Sequence, residues 1–271
     1  MAENHDPTVI EGETPEASHF RVPWRLLFTN GNLWILCMMY FCAAYGWYFN
    51  ITYLPDFVEQ QGVDKDSALA AVYKGGPLWL GALACLAGGW LTDHFIRRTG
   101  NRKWGRRLFG VIGHGVCAAC YLLSVTAANP WPFVLAIAFA AFWNDLTMGS
   151  AWAICLDIGK GFSGIVSGCM NTVGNLGGFA AGFLTGVVLD WYSAPAKKEA
   201  ASTVASAIGA AGGGWQGFGS LAHLAAASPD LARDVTSATA AGWTANLISF
   251  GVVYIIAALL WLRIDSTRPV V

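Results

Sequence analysis

Charge is what this sequence has least of. Of 271 residues only 12% are Asp, Glu, Lys or Arg, against 55% that are hydrophobic. An ordinary soluble domain carries about 25% charged residues. A single soluble core of this length needs more polar surface than the chain supplies, so a soluble enzyme is excluded. Disorder is excluded as well, because the apolar content is too high. A basic field on a polar surface is also lacking, with a net charge of -1, so no nucleic-acid partner is expected. What remains is a polytopic membrane protein, an all-α fold in a lipid bilayer.

Catalytic and metal-binding patterns are missing too. No nucleophile–base pair, phosphate loop or metal-ligand spacing stands out, so neither an enzyme nor a cofactor is expected. The seven cysteines all fall in apolar runs. Cys117 and Cys120 form a CxxC, but in a stretch of lipid-spanning length they read as small packing residues.

Residues 1–24 form a polar, acidic segment with no Lys or Arg before Arg21, which fits a cytoplasmic tail or linker and not a signal peptide. Six apolar stretches follow, over 32–53, 76–96, 108–127, 131–156, 162–190 and 244–262. Each holds about 20 residues or more, enough to cross a hydrocarbon core of about 30 Å as a helix. None alternates as a barrel strand would. The domains expected are the tail, helices one to five over 25–190, a non-cytoplasmic Ala/Gly-rich insertion over 191–243, and helix six with a short tail over 244–271. Within the insertion, Ser228-Pro229-Asp230 starts a short helix to about Ala241, and a second lies near 198–210.

Eleven Lys and Arg residues fall on one side of this arrangement, six of them between the second and third spans, and five on the other. The positive-inside rule then puts both termini in the cytoplasm of a cell whose inner membrane holds the chain.

Two blocks carry a family resemblance. Gly89-Trp90-Leu91-Thr92-Asp93, followed by Arg97, Arg98, Gly100, Arg102, Lys103, Arg106 and Arg107, resembles the cytoplasmic gate motif of the major facilitator superfamily, with a longer spacing to Gly100 than usual. Phe142-Trp143-Asn144-Asp145, Trp152, Asp157, Gly164, Ser167-Gly168, Asn171 and Gly174-Asn175-Leu176-Gly177-Gly178 resemble helices ten and eleven of its anion:cation symporter branch, which includes hexuronate, glucarate and galactonate carriers. Tyr40 to Pro55 resembles that branch's helix seven, and Gly242 to Asp265 its helix twelve. The resemblance implies six transmembrane helices equivalent to the second bundle of a twelve-helix carrier, with the substrate held between two bundles. A second six-helix bundle is then an expected partner, whether a separate chain or a second copy. The other expectation for a chain matching half a carrier is a non-transporting or partner-dependent membrane fragment.

Asp145 is the acidic residue deep in a span, where a charge costs at least ~2.5 kcal/mol on insertion scales. It reads either as a proton-coupling site or as a carboxyl bonded to Asn144 or a neighbouring helix. Trp152 and Ser150 follow on the same span, and the resemblance assigns both to the substrate cavity. Asn171 and Asn175 share a helix face, and the resemblance gives Asn171 to the cavity. Tyr45 and Tyr48 bring phenols towards it, unless they belong to interfacial belts. His114 reads as a neutral, hydrogen-bonded residue, with proton relay the alternative. Gly164/Gly168 and Gly178/Gly182/Gly186 mark close helix contacts. No Lys or Arg lies inside a span, so the positive partner for an organic anion such as a sugar acid must come from elsewhere; in the resembling family it comes from the first bundle.

Overall fold

The structure, a computed structural model, describes residues 22–55, 59, 64, 66–127, 129–211 and 228–270. Among the described residues the secondary structure is helical: α1 (Trp24–Thr29), α2 (Gly31–Thr52), α3 (Ala68–Thr99), α4 (Arg102–Ser124), α5 (Pro130–Leu146), α6 (Met148–Gly159), a 3-10 turn (Lys160–Phe162), α7 (Ser163–Ala211) and α8 (Pro229–Trp261). Most of the acidic tail, residues 1–21, lies outside the described residues.

Helix ends follow from local chemistry. Asn30 accepts from the backbone N–H groups of Asn32 and Leu33, at 2.9 and 3.2 Å, and starts α2. Ser67 and Asn101 cap α3 and α4 in the same way. Gly100 adopts a left-handed φ of 67°, which ends α3 and lets α4 begin two residues later. Pro130 sits in the first turn of α5, where its missing N–H costs nothing.

Among the described residues, four stretches are long and apolar enough to cross a membrane: Ala68–Thr99, Arg102–Ser124, Trp131–Thr203 and Pro229–Trp261. The third runs through α5, α6 and most of α7, with breaks at Thr147 and Lys160. The chain is thus an all-α, multi-pass membrane protein. α7 has 49 residues, a length of about 70 Å that exceeds any bilayer. The stretch 191–211 continues α7 through Pro195, so the helix expected near 198–210 is an extension of it. Likewise the helix expected from Ser228 to Ala241 is the first part of an unbroken α8, and Ser228 makes no side-chain capping bond. An Ala-rich sequence has no reason to leave the helix once started, which is why neither forms a separate element.

α2 packs against α7 and α8, α4 against α5 and α8, and α3 against α5 and α6. One part of the core gathers Phe49, Tyr121, Phe250 and Tyr254, with Cys117 and Cys120 among them. The other gathers Leu33, Leu36, Ile154, Ile158 and Trp261. The expected glycine contacts are met at Gly178 and missed at Gly164, Gly168 and Gly182, which face open space among the described residues. α2 meets α7 at Gly174, Gly177 and Gly178, where Tyr40, the Phe41 carbonyl and Tyr48 occupy the room a side chain would need.

Candidate functional site: a carboxylate cleft between α2, α3, α5 and α7

α5 stops at Leu146 and α6 starts at Met148, because Thr147 turns its hydroxyl onto the Asn144 carbonyl at 2.7 Å. Asp145 therefore sits at the end of a helix, next to a break. α3 runs beside it, bare of side chains where it matters: the Asp145 carboxylate fills the space that a Cβ at Gly81 would take. The amide of Asn144 donates to Asp145 Oδ1 at 2.9 Å, and the Trp47 side chain of α2 lies near the carboxylate. Behind Asn144, the Tyr254 hydroxyl of α8 donates to its Oδ1 at 3.3 Å. Cys85 Sγ donates to the Asp145 carbonyl at 3.4 Å. The half-buried carboxylate thus has the Asn144 amide as a donor, Trp47 nearby and a buttress from a fourth helix.

Tyr40 carries the cleft onward. Its ring meets Trp152 edge to face at 6.3 Å, and it lies close enough to Asp145 for the two to interact electrostatically. One face of Tyr40 rests on Gly174 of α7. About two turns along α2, Tyr48 rests on Gly178 and donates to Asn175 Oδ1 at 2.9 Å, while the Asn175 amide donates to the Asn171 carbonyl at 2.8 Å. The Asn171 side chain is exposed and makes no bond among the described residues. Tyr40 with Trp152, and Tyr48 with Asn175 and Asn171, form two groups along the α2–α7 contact.

Two expected residues do not face it. Tyr45 is buried against Phe250 on the opposite side of α2. Ser150 is fully buried and shares a hydrogen bond of 3.0 Å with Thr92 of α3. The resemblance assigns Ser150 to the cavity, but five residues on from Asp145 it lies on a different helix face, which packs against Thr92 of α3. Tyr40, Trp47, Gly81 and Tyr254 were not singled out from sequence as site residues. A Gly81/Cys85 pair of small residues at helical spacing is the one signal that could have pointed to the Asp145 notch.

The residues of the expected gate motif form a separate polar end. Gly89 lies against Gly149 so closely that a Cβ on Gly149 would stand 2.8 Å from the Gly89 Cα. Asp93 pairs with Arg106 at 3.1 Å, not with Arg97 or Arg98, which are exposed and form no ion pairs among the described residues. Arg106 also binds Asp157 at 3.3 Å, and Arg102 approaches the same carboxylate at 3.6 Å. The C-terminal turn is fastened here: Lys103 pairs with Asp265 at 2.7 Å, Arg107 donates to the Ile264 carbonyl at 2.6 Å, and Asn32 exchanges two bonds with the Asp265 backbone. Burial acts to raise the Asp265 carboxyl, but it is outweighed by hydrogen bonds from Lys103 and from the Thr267 hydroxyl and N–H, together with the Lys103 charge. The group is held well below the usual carboxylate range.

A helical bundle with a mid-span carboxylate and a cation-rich end defines a transporter-like membrane protein. The family model described as the Major Facilitator Superfamily matches residues 2–182, more than half of the chain. The chain belongs to the Major Facilitator Superfamily, a family of transporters, and is not an enzyme. It is 29% identical over 183 residues to a probable sulfoacetate transporter of Cupriavidus necator, which covers 66% of this chain and 41% of that one. It is 27% identical over 173 residues to the chloroplastic sodium-dependent phosphate transport protein 1 of Arabidopsis thaliana, covering 62% of this chain and 33% of that one. The chain therefore spans well under half the length of these relatives. In fold it is similar to a bacterial homologue of the human lysosomal transporter Spinster, solved inward-facing and unoccupied, with a TM-score of 0.67 and 17% identity over 94% of this chain and 53% of that one.

Proposed function

We propose that the chain is one six-helix bundle of a secondary active carrier for anions, coupled to protons through Asp145. The observation that carries this reading is the Asp145 cleft. A carboxylate near the middle of the helical stack is set in a glycine notch, supplied with a donor and left half-exposed beside Tyr40 and Trp152. A purely structural carboxyl has no need of an open side. Trp152, Tyr48 and Asn171 are the proposed substrate contacts, with Tyr45 and Ser150 supporting them from behind. No Lys or Arg stands among the side chains described in this cleft, so a cationic partner for the anion comes from a second bundle facing it. The two relatives, a probable sulfoacetate transporter and a phosphate transport protein, favour an anionic substrate, and a carboxylated sugar fits the same hydrogen-bonding set.

The test is uptake into proteoliposomes in which the chain is completed by a second bundle, driven by an imposed proton gradient. Asp145→Asn is expected to abolish accumulation while leaving substrate exchange, which need not release the proton. Trp152→Ala and Asn171→Ala are expected to raise the half-saturating concentration at any gradient. Normal accumulation by Asp145→Asn, at unchanged protein amount, would make the carboxyl structural.

A further inference from the structure

At the polar end of the bundle, between the α3–α4 turn and the C-terminal turn, lies a cleft of about 670 Å³. Its walls carry Arg102, Lys103 and Lys160 against a single carboxylate, Asp157, with Ser266 and Thr267 beside them. Asp157 is already neutralised by Arg102 and Arg106, and Lys103 by Asp265. Lys160 is exposed, sits on a backbone with φ of 45°, and forms no ion pair among the described residues.

A second observation is independent of charge. Ser266 is only 2% exposed, yet its hydroxyl has no hydrogen-bond partner among the described residues. Buried hydroxyls are almost always satisfied, so an unsatisfied one on a residue that lines a cleft is a group a ligand atom can complete once the Ser266 side chain turns to the cleft. The cleft also receives the N-terminal end of α4, a helix of 23 residues. There the unpaired N–H groups and the helix dipole favour negative charge. Asn101 uses its own side chain to cap the Trp104 N–H, which leaves the groups ahead of it facing outward.

We infer that this cleft binds a phosphate group, with Lys160 and the start of α4 supplying positive charge and the Ser266 hydroxyl donating to a phosphate oxygen. The site is distinct from the Asp145 cleft: Asp157 and Asp145 are twelve residues apart, about 18 Å along a helix. Nothing in it depends on the transport reading. The same chemistry is offered by the headgroup of an anionic phospholipid and by free phosphate, and the two are separable by experiment.

The purified full chain, in discs of phosphatidylcholine, is titrated with inorganic phosphate while its heat-unfolding midpoint is followed. Chloride at matched ionic strength controls for screening. In parallel, the midpoint is compared in discs of phosphatidylcholine and of phosphatidylglycerol. The expected result is a saturable rise in midpoint with phosphate, with phosphatidylglycerol, or with both. Lys160→Gln is expected to weaken the response about tenfold, as loss of a charged hydrogen-bond donor does. Ser266→Ala, which keeps the cleft's shape, weakens it severalfold. A response to phosphate alone assigns the site to a soluble anion, and a response to phosphatidylglycerol alone assigns it to a headgroup. No saturable rise with either, or an undiminished rise in both variants, overturns the inference.

Discussion

Trp261 donates its indole N–H to His114 Nδ1 at 2.9 Å, so that nitrogen must carry the lone pair. The single proton of the neutral ring is then on Nε2, which meets the Thr147 hydroxyl at 3.3 Å, while Thr147 spends its own proton on the Asn144 carbonyl. Adding a second proton would set two N–H groups head to head at Nδ1. His114 is therefore a strut that ties α4 and α8 to the α5–α6 break, and proton relay would require the Trp261 bond to open. Trp261→Phe strands a buried acceptor, and the expected loss is about 1–3 kcal/mol of stability. Chemical denaturation of the purified chain measures it. At the polar end the sign of a pH effect follows from Asp265. Its folded carboxyl is held below the usual range, so the clasp's stability is fully present above the unfolded value of about 3.9. It is lost as pH falls from there towards the depressed folded value. Asp265→Asn should lower the unfolding midpoint at neutral pH, with the gap from the native chain closing below about pH 4. That Asp145 is a costly mid-span acid was legible from sequence, because one carboxylate in an apolar run needs no partner to be noticed. Its surroundings were not: Gly81 and Tyr254 lie 64 residues before and 109 after it, and only the packed bundle brings them together.

At the scale of helices, contact depends on which glycine faces backbone. α3 and α6 cross at Gly88, Gly89 and Gly149, where a Cβ on Gly149 would stand 2.8 Å from the Gly89 nitrogen and a Cβ on Gly88 would overlap the Leu146 carbonyl. Backbone cannot swing aside as a side chain does. Gly149→Ala is thus expected to wedge α3 from α6 and cost about 1–3 kcal/mol. Gly164→Ala and Gly182→Ala meet nothing within 4 Å. In the chain alone they should be neutral, or stabilising by up to ~1 kcal/mol through helix propensity. Unfolding midpoints of the three variants check the contrast. The small-residue spacing in α7 was readable, but period alone names a face and not its neighbour. Gly174, Gly177 and Gly178 meet α2 because Tyr40 and Tyr48 project there, while the equally regular Gly164/Gly168 pair meets open space. Helix starts were less legible: Ser228, the cap read from sequence, makes no side-chain capping bond, while Asn30, Ser67 and Asn101, which do cap, carry no pattern that sets them apart from other polar residues.

For the whole molecule, composition and pattern were decisive: 12% charge points to lipid, and apolar runs without alternation choose helices over a closed barrel. Span ends were less legible, because hydropathy marks the lipid-buried part of a helix and is blind to Ala-rich turns continuing beyond it. α7 and α8 both overrun their apolar stretches for that reason, and both overruns, 191–211 and 229–243, belong to the same connection. The other end of the bundle gathers the α3–α4 turn, Lys160 and the C-terminal turn into one cationic surface. Charge asymmetry of this kind orients membrane helices with the cation-rich end in the cytoplasm. Orientation is therefore testable with two engineered thiols on a background in which the seven native cysteines are replaced. A membrane-impermeant maleimide added outside intact cells should label Ser228→Cys, at the start of α8. It should miss Thr99→Cys, at the end of α3, until the membrane is permeabilised. Labelling in the opposite pattern would invert the bundle, and with it the side from which Asp145 would take its proton.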